Sequence, residues 1–233
     1  MAETPPVLLV PGLNCTARLY APQIPALWRH GPVMVADHRR DNTIAAIAGR
    51  ILAAAPPRFA LAGLSLGGYI AFEIMRQAAE RVAKLALLDT GPRPESPEQT
   101  AARQPRIALA RAGRFAEIAD AQFPLLVHRS RADDAALQAI NRTMAEENGA
   151  EAFLRQTEAI MNRADSRPTL AAIDCPTLVL VGDGDQLTPP ALAEEIAGGI
   201  RGSRLVVIPQ CGHVSTLERP QEVTAALVEW LTS

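Results

Sequence analysis

Short, uninterrupted apolar runs recur along the chain, and longer segments with apolar residues three and four positions apart separate them. The runs lie at residues 7–10, 33–36, 59–62, 85–88, 177–181 and 205–208. Strands that are buried on both faces of a parallel sheet have continuous apolar sequences of this kind, whereas half-exposed strands alternate. The pattern therefore predicts an α/β fold, a six-stranded mostly parallel sheet with helices on both faces.

Signals for helix ends lie in the segments between these runs. Residues 68–79 follow the third strand and are apolar on nearly every face until Arg76, which predicts a deeply buried helix. Thr188 and Pro189 predict the N-cap and first turn of a later helix, and Pro220 predicts the start of the last one.

Residues 91–168 interrupt this alternation. The segment contains no good strand and is longer than loops in compact domains usually are. Helical patterns lie at residues 107–111, 115–122, 134–147 and 151–162, and Pro92, Pro94, Pro97 and Pro105 predict an irregular beginning. We expect a core made of residues 1–90 and 169–233, and a helical cap insertion of residues 91–168.

Composition narrows the class of protein. The 233 residues are 48% hydrophobic and 21% charged, with a net charge of −2. Without a basic stripe, neither a nucleic acid nor an anionic membrane is an expected partner. The run at residues 7–10 is too short for a signal peptide, and no apolar segment reaches the length of a membrane span. We therefore expect a cytoplasmic protein.

The three cysteines, Cys15, Cys175 and Cys211, are scattered and have no metal-ligand spacing. We expect three reduced thiols and no metal site. Cys15 and Cys211 lie near the motifs described next, but a small space-filling role is the simpler interpretation of both.

A Gly-x-Ser-x-Gly motif occupies residues 63–67, between the third predicted strand and the helix that follows it. In this strand–turn–helix context the motif is typical of a nucleophile elbow, in which Ser65 is exposed at the end of the sheet. A simple Gly-rich turn is the alternative interpretation. A serine hydroxyl is a weak nucleophile, so this hypothesis requires a nearby base and an acid that orients the base.

Among the four histidines, His213 is the best candidate for the base. It lies just after the sixth predicted strand, and catalytic groups of open α/β sheets gather at the carboxyl ends of the strands. His30 and His38 precede the serine, and an exposed or capping role is the better interpretation of both. His128 lies in the insertion, where packing is the expected role.

The acid is expected between Ser65 and His213 at the end of a strand. Asp185 and Asp183 both follow the fifth strand, and Asp89 follows the fourth. Asp185 is preferred because the loop must leave the strand before a carboxylate can turn toward the histidine. Asp183 is expected to bond its own turn. Asp183 and Asp89 remain alternatives.

An oxyanion hole would complete this site. One donor is expected to be the backbone N–H of Leu66, the residue after the nucleophile. The loop after the first strand would supply the second. There Gly12 permits close approach, Leu13 N–H is the expected donor, and Pro11 has no N–H to offer.

Together these motifs resemble the α/β-hydrolase superfamily, whose chain order of nucleophile, acid and histidine matches Ser65, Asp185 and His213. Residues 9–12 resemble its oxyanion motif with Pro11 in place of the usual histidine. Residues 182–190 resemble the acid loop, and residues 211–213 the histidine loop. Within the superfamily the chain resembles small bacterial 3-oxoadipate enol-lactonases and related esterases. The resemblance implies no metal and no organic cofactor. With six residues before Val7, the hairpin that usually begins the fold is not expected here.

The resulting hypothesis is hydrolysis of a small-molecule ester or lactone through an acyl-enzyme. An acyltransferase and a carbon–carbon bond hydrolase would use the same triad, and a ligand sensor could retain it without turnover. Ser65 stands where dehalogenases and epoxide hydrolases have a carboxylate, so both are set aside. Arg106, Arg111, Arg129 and Arg131 could hold a substrate carboxylate, whereas arginines on an exposed helical insertion are usually solvated. The apolar edge strand at residues 33–36 predicts a covering segment or a homodimer, so the chain is expected to be a monomer or homodimer.

Overall fold

The computed structural model describes residues 4–233. Within this range, all six strands form one parallel sheet in the order β2-β1-β3-β4-β5-β6. The strands are β1 Val7–Val10, β2 Val33–Val35, β3 Phe59–Leu64, β4 Val82–Leu88, β5 Thr177–Gly182 and β6 Arg204–Ile208. The predicted α/β fold and all six predicted strands are confirmed, and the sheet is wholly rather than mostly parallel.

The strand order explains where a site can form. From β1 the chain moves to β2 on one side, and then crosses to β3 on the other side of β1. The helices after β1 and β3 therefore leave toward opposite faces, which opens a crevice at the carboxyl ends of these two strands. In this sheet Leu61 of β3 lies opposite Leu8 of β1 and Leu85 of β4, so the three strands run side by side.

Eleven α-helices surround the sheet in the described part of the chain. They are α1 Ile24–Trp28, α2 Ile44–Ala54, α3 Leu66–Ala78, α4 Pro97–Arg111, α5 Ala116–Leu126, α6 Ala135–Asn148, α7 Ala150–Met161, α8 Arg167–Leu170, α9 Pro190–Gly199, α10 Ser215–Glu218 and α11 Pro220–Thr232. The predicted start of the last helix at Pro220 is confirmed.

Two apolar clusters cover the two faces of the sheet. On one face Ile47 of α2 and Ile74 of α3 pack in a cluster with Leu61. On the other face Leu27 of α1 and Trp230 of α11 pack in a second cluster. Burying the sheet on both sides removes most apolar strand side chains from water and explains why their sequences do not alternate.

Five α-helices, α4 to α8, lie between β4 and β5, and α4 to α7 lie wholly inside the segment for which helical patterns are predicted. The expectation that four prolines make the start of this segment irregular is wrong for Pro97 and Pro105. Helix α4 starts at Pro97 with a capping box between Ser96 and Gln99, and it continues through Pro105. A proline at the first helical position is favourable because its missing N–H has no partner there anyway. The division into a core and a cap remains a prediction.

Strand β2 lies at one edge of the sheet, as expected, and its three residues are half-buried. No helix within residues 4–233 is both long and apolar enough to cross a membrane.

Candidate active site

The turn between β3 and α3 holds Ser65 in an uncommon backbone conformation. Its φ of 55° and ψ of −113° lie outside the regions that most residues adopt. A Cβ at Gly67 would collide with the carbonyl oxygen of Val10, and a Cβ at Gly63 would collide with the Gly67 carbonyl. Only glycine fits at these two positions, so the spacing of the motif follows from the tightness of the turn.

His213 and Asp185 meet at the carboxyl ends of β6 and β5. His213 Nδ1 lies 2.8 Å from Asp185 Oδ2, and both side chains are buried. The other carboxylate oxygen, Oδ1, accepts backbone N–H groups from Leu187 at 2.8 Å and from Thr188 at 2.9 Å. These bonds fix the carboxylate, which in turn fixes the plane of the imidazole.

Thr188 has a different role from the predicted one. Helix α9 begins at Pro190 with Pro189 as its N-cap, so Thr188 does not cap it. Instead, Thr188 Oγ1 donates to Asp185 Oδ2 at 2.7 Å and lies 3.2 Å from His213 Nδ1. The threonine therefore belongs to the hydrogen-bond network of Asp185 and His213.

Electrostatics make His213 a stronger base than a free imidazole. Burial lowers the pKa of His213, but the charge of Asp185 and its hydrogen bond outweigh burial and raise it above 6.5. Burial raises the pKa of Asp185, but the His213 charge and the bonds from His213 and Thr188 lower it overall. A carboxylate only accepts, so Nδ1 carries the proton and Nε2 keeps its lone pair.

The two alternative acids lie close by but do not hydrogen-bond His213. Asp183 is expected to bond its own turn. Its Oδ1 instead accepts a hydrogen bond from Cys211 N at 3.2 Å, so Asp183 binds the histidine loop. Asp89 is fully buried and accepts from Gly182 N at 3.1 Å and from the Ser215 hydroxyl. Burial raises the pKa of Asp89 well above its usual value, and the charge of Asp185 adds to the increase.

Glu218, which sequence reasoning did not select, braces the histidine loop. Its carboxylate accepts from Gly212 N at 2.7 Å and from His128 N at 2.8 Å. His213 N also donates to Leu126 O at 3.0 Å, at the end of α5. The histidine loop and the insertion therefore share backbone hydrogen bonds. His128 contributes its backbone here, while its Nδ1 lies 2.7 Å from Ser130 Oγ.

His38 is buried, which contradicts the expectation of an exposed or capping histidine. Its Nε2 lies 2.9 Å from the carbonyl oxygen of Gly12. A carbonyl only accepts, so Nε2 carries the proton. Burial lowers the pKa of His38, which favours the neutral ring. The side chain holds the loop after β1, beside the serine turn.

The two expected oxyanion donors lie beside the serine. Leu13 lines the same cavity as Ser65, and Leu66 is the first residue of α3, where backbone N–H groups have no partner inside the helix. The next N–H, that of Asn14, donates to Gln156 Oε1 of α7 at 3.0 Å. Asn14 is therefore occupied, which leaves Leu13 as the better candidate of the two in this loop.

A cavity of about 290 Å³ contains the candidate groups. Ser65, His213, Leu13 and Thr188 line it from the core, and residues of α4 to α7 line it from the insertion. A cavity of this size accepts a small molecule. Ser65 and His213 thus both line this cavity.

The cysteine thiols contribute no reactive group of note. Burial raises the pKa of Cys15 to about 12 and also raises that of Cys211. Both are therefore thiols rather than thiolates at neutral pH, which supports a space-filling role. Within residues 4–233, no three His, Cys, Asp or Glu side chains are grouped so that they could hold a metal ion.

A model of the alpha/beta hydrolase family matches residues 7–227 of the chain. A pimeloyl-[acyl-carrier protein] methyl ester esterase of Aromatoleum aromaticum is 29% identical, over 95% of this chain and 90% of that protein.

An enol-lactonase and an esterase are among the solved structures whose fold resembles that of this chain. The enol-lactonase from Burkholderia xenovorans LB400 is 28% identical with a TM-score of 0.90, covering 100% of this chain and 93% of that one. A thermophilic esterase from Thermogutta terrifontis, solved with malate bound, is 32% identical with a TM-score of 0.87, covering 97% and 89%.

Proposed function

We propose, since this chain belongs to the α/β-hydrolase family and is a hydrolase, that it cleaves a carboxylic ester or lactone of a small molecule. Ser65, His213 and Asp185 are the proposed catalytic triad. The observation that carries the proposal is the 2.8 Å bond between His213 and Asp185 in the wall of the cavity that Ser65 also lines. The esterases and the enol-lactonase among its relatives act on bonds of this class.

The proposed reaction has two steps. His213 Nε2 accepts the Ser65 hydroxyl proton while the oxygen attacks the carbonyl carbon, and Asp185 stabilises the resulting imidazolium. Collapse of the tetrahedral intermediate breaks the ester bond, His213 protonates the departing alcohol, and an acyl-Ser65 remains. Water then attacks the acyl group and loses a proton to His213, which forms a second tetrahedral intermediate. As that intermediate breaks its bond to Ser65, His213 returns the proton to the serine oxygen, and the acid leaves.

Leu13 and Leu66 N–H groups are the proposed donors to the oxyanion of each intermediate. Two hydrogen bonds hold the loop that contains Leu13. One joins His38 to Gly12, and the other joins Asn14 to Gln156. His38 and Gln156 are therefore proposed positioning residues that do not touch the substrate.

The insertion, residues 91–168, is the proposed cap over this site. Its helices line the cavity, Leu126 O accepts a hydrogen bond from His213 N, and His128 N donates to the Glu218 carboxylate. It would exclude water and set the size of the acyl group.

Product partition tests the proposed reaction. Purified protein with a p-nitrophenyl ester series of graded acyl length should release free acid over many turnovers. If added alcohol or amine acceptors captured most of the acyl group at the expense of acid, an acyltransferase would replace the hydrolase. Release of one equivalent without further turnover would indicate a sensor.

The acid limb of the pH–rate profile should report His213. Only the neutral imidazole accepts a proton, so kcat/KM should fall as the pH drops through a pKa that Asp185 raises above 6.5. The substrate should be a neutral ester, measured from about pH 5 to about pH 9. Since such an ester does not titrate, the profile reports only the titratable groups of the enzyme. A rate that is constant below pH 6.5 down to the unfolding limit would contradict His213 as the base.

A further inference from the structure

We propose that Arg106 forms an anion-binding subsite in the active-site cavity, and that the substrate carries a carboxylate remote from the ester or lactone bond. This inference rests on the proposed function and specifies its substrate class.

One face of α4 turns toward the cavity. Gln99, Ala102, Arg103 and Arg106 all line it, and their spacing of three, four and seven residues places them on one side of the helix. Arg111 lies at the end of the same helix, exposed and outside the cavity lining. The arginines of α4 therefore differ in what they face.

The charges of the lining do not balance. Three arginines, Arg103, Arg106 and Arg163, line the cavity, and no Asp or Glu does so among residues 4–233. The carboxylate of Glu95 bonds both Arg103 and Arg163 from behind the wall, and its side chain is 1% exposed. A single anion thus serves two cations, and Arg163 also lies 4.4 Å from the ring centre of Tyr69.

Arg106 has no carboxylate partner in the described part of the chain. Its one hydrogen bond runs from an Nη to the carbonyl oxygen of Ala102 in its own helix, at 3.2 Å. The side chain is half-buried, and burial together with Arg103 lowers its pKa. A guanidinium that has lost water without gaining an anion is placed to bind one from the cavity.

A carboxylate is the anion that this subsite fits. The planar guanidinium donates two parallel N–H groups to the two oxygens of a carboxylate. Gln122 of α5 lines the same cavity and makes no side-chain hydrogen bond within residues 4–233, so its amide is available as another donor. A half-ester of a dicarboxylic acid would place its ester at Ser65 and its carboxylate at Arg106.

Selectivity between charged and neutral esters tests the subsite. Methyl monoesters of dicarboxylic acids with about four to eight carbon atoms are compared with methyl esters of monocarboxylic acids of equal length. We expect the parent protein to give a higher kcat/KM for at least one monoester than for its neutral match. Arg106→Gln should lower this ratio at least ~10-fold, Arg106→Glu should reverse it, and the control Arg111→Gln should leave it unchanged.

Two outcomes would overturn the subsite: a parent ratio near one at every length, or a ratio that Arg106→Gln and Arg111→Gln leave equal. Turnover of neutral esters in either case would keep the proposed hydrolase. If no ester of either series were cleaved, the hydrolase proposal would fail separately. Calorimetric binding of the free dicarboxylates would then decide the subsite, because binding lost in folded Arg106→Gln but kept in Arg111→Gln supports it, and equal or absent binding refutes it.

Discussion

Replacing Ser65 by alanine is expected to lower kcat for ester hydrolysis by at least ~10⁴-fold. The substitution removes the only atom that the proposed mechanism acylates, while His213 and Asp185 keep their 2.8 Å bond. Water near His213 could still attack the ester slowly. The residual rate should then reflect only the acceleration that the oxyanion donors and substrate binding provide. Steady-state release of p-nitrophenol from a short-chain ester measures this loss.

Ser203→Ala is a matched control for the same chemical change. Ser203 Oγ donates to Ala197 O, next to β6 and away from the cavity lining. Its loss should leave kcat within about twofold, as surface substitutions usually do. Thermal unfolding should show that both variants fold. Near-parental hydrolysis by folded Ser65→Ala would remove Ser65 from the mechanism.

Asp185→Asn is expected to lower kcat by ~10⁴-fold, whereas Asp89→Asn should cost far less. An amide at position 185 can donate to His213 Nδ1, which favours the tautomer that has no lone pair on Nε2. Asp89 bonds Gly182 N and the Ser215 hydroxyl instead of the imidazole, and burial favours its neutral form. An asparagine at position 89 resembles that neutral form in shape.

The pH profile separates the two aspartates further. Without the Asp185 charge, burial dominates and the pKa of His213 should fall, so the acid limb of kcat/KM should move to lower pH. Asp89→Asn should move it less, because burial favours the neutral carboxyl of Asp89, which has no charge to act on His213. Equal losses of kcat in the two variants, or a larger loss in Asp89→Asn, would assign the acid to Asp89.

Local sequence patterns were sufficient to predict the strands of the sheet and the turn that holds Ser65. Continuous apolar runs located all six strands of residues 4–233, and the central strands β1, β3 and β5 are buried along their whole length, which requires such runs whichever strands pair. The elbow was readable because its glycines answer a steric demand within five residues, as the collisions at Gly63 and Gly67 show.

The bonds that hold the site together were not readable, because they join residues far apart in sequence. His38 reaches Gly12 across 26 positions, and Gln156 reaches Asn14 across 142. A lone histidine near an edge strand has the same local sequence whether it is exposed or buried. The Thr-Pro pair at positions 188 and 189 is a good helix-cap signal, but Thr188 Oγ1 donates to Asp185 instead. Glu218 lies at the end of α10, after the histidine loop, and no local pattern shows its two backbone partners.

Covalent labelling with a fluorophosphonate, followed by intact mass and peptide mapping, tests most directly whether Ser65 is a nucleophile that His213 activates. We predict one adduct per chain, located on Ser65, absent from Ser65→Ala and formed much more slowly in His213→Ala. An adduct elsewhere, equal labelling of Ser65→Ala, or no adduct on the folded parent protein would contradict the proposed triad.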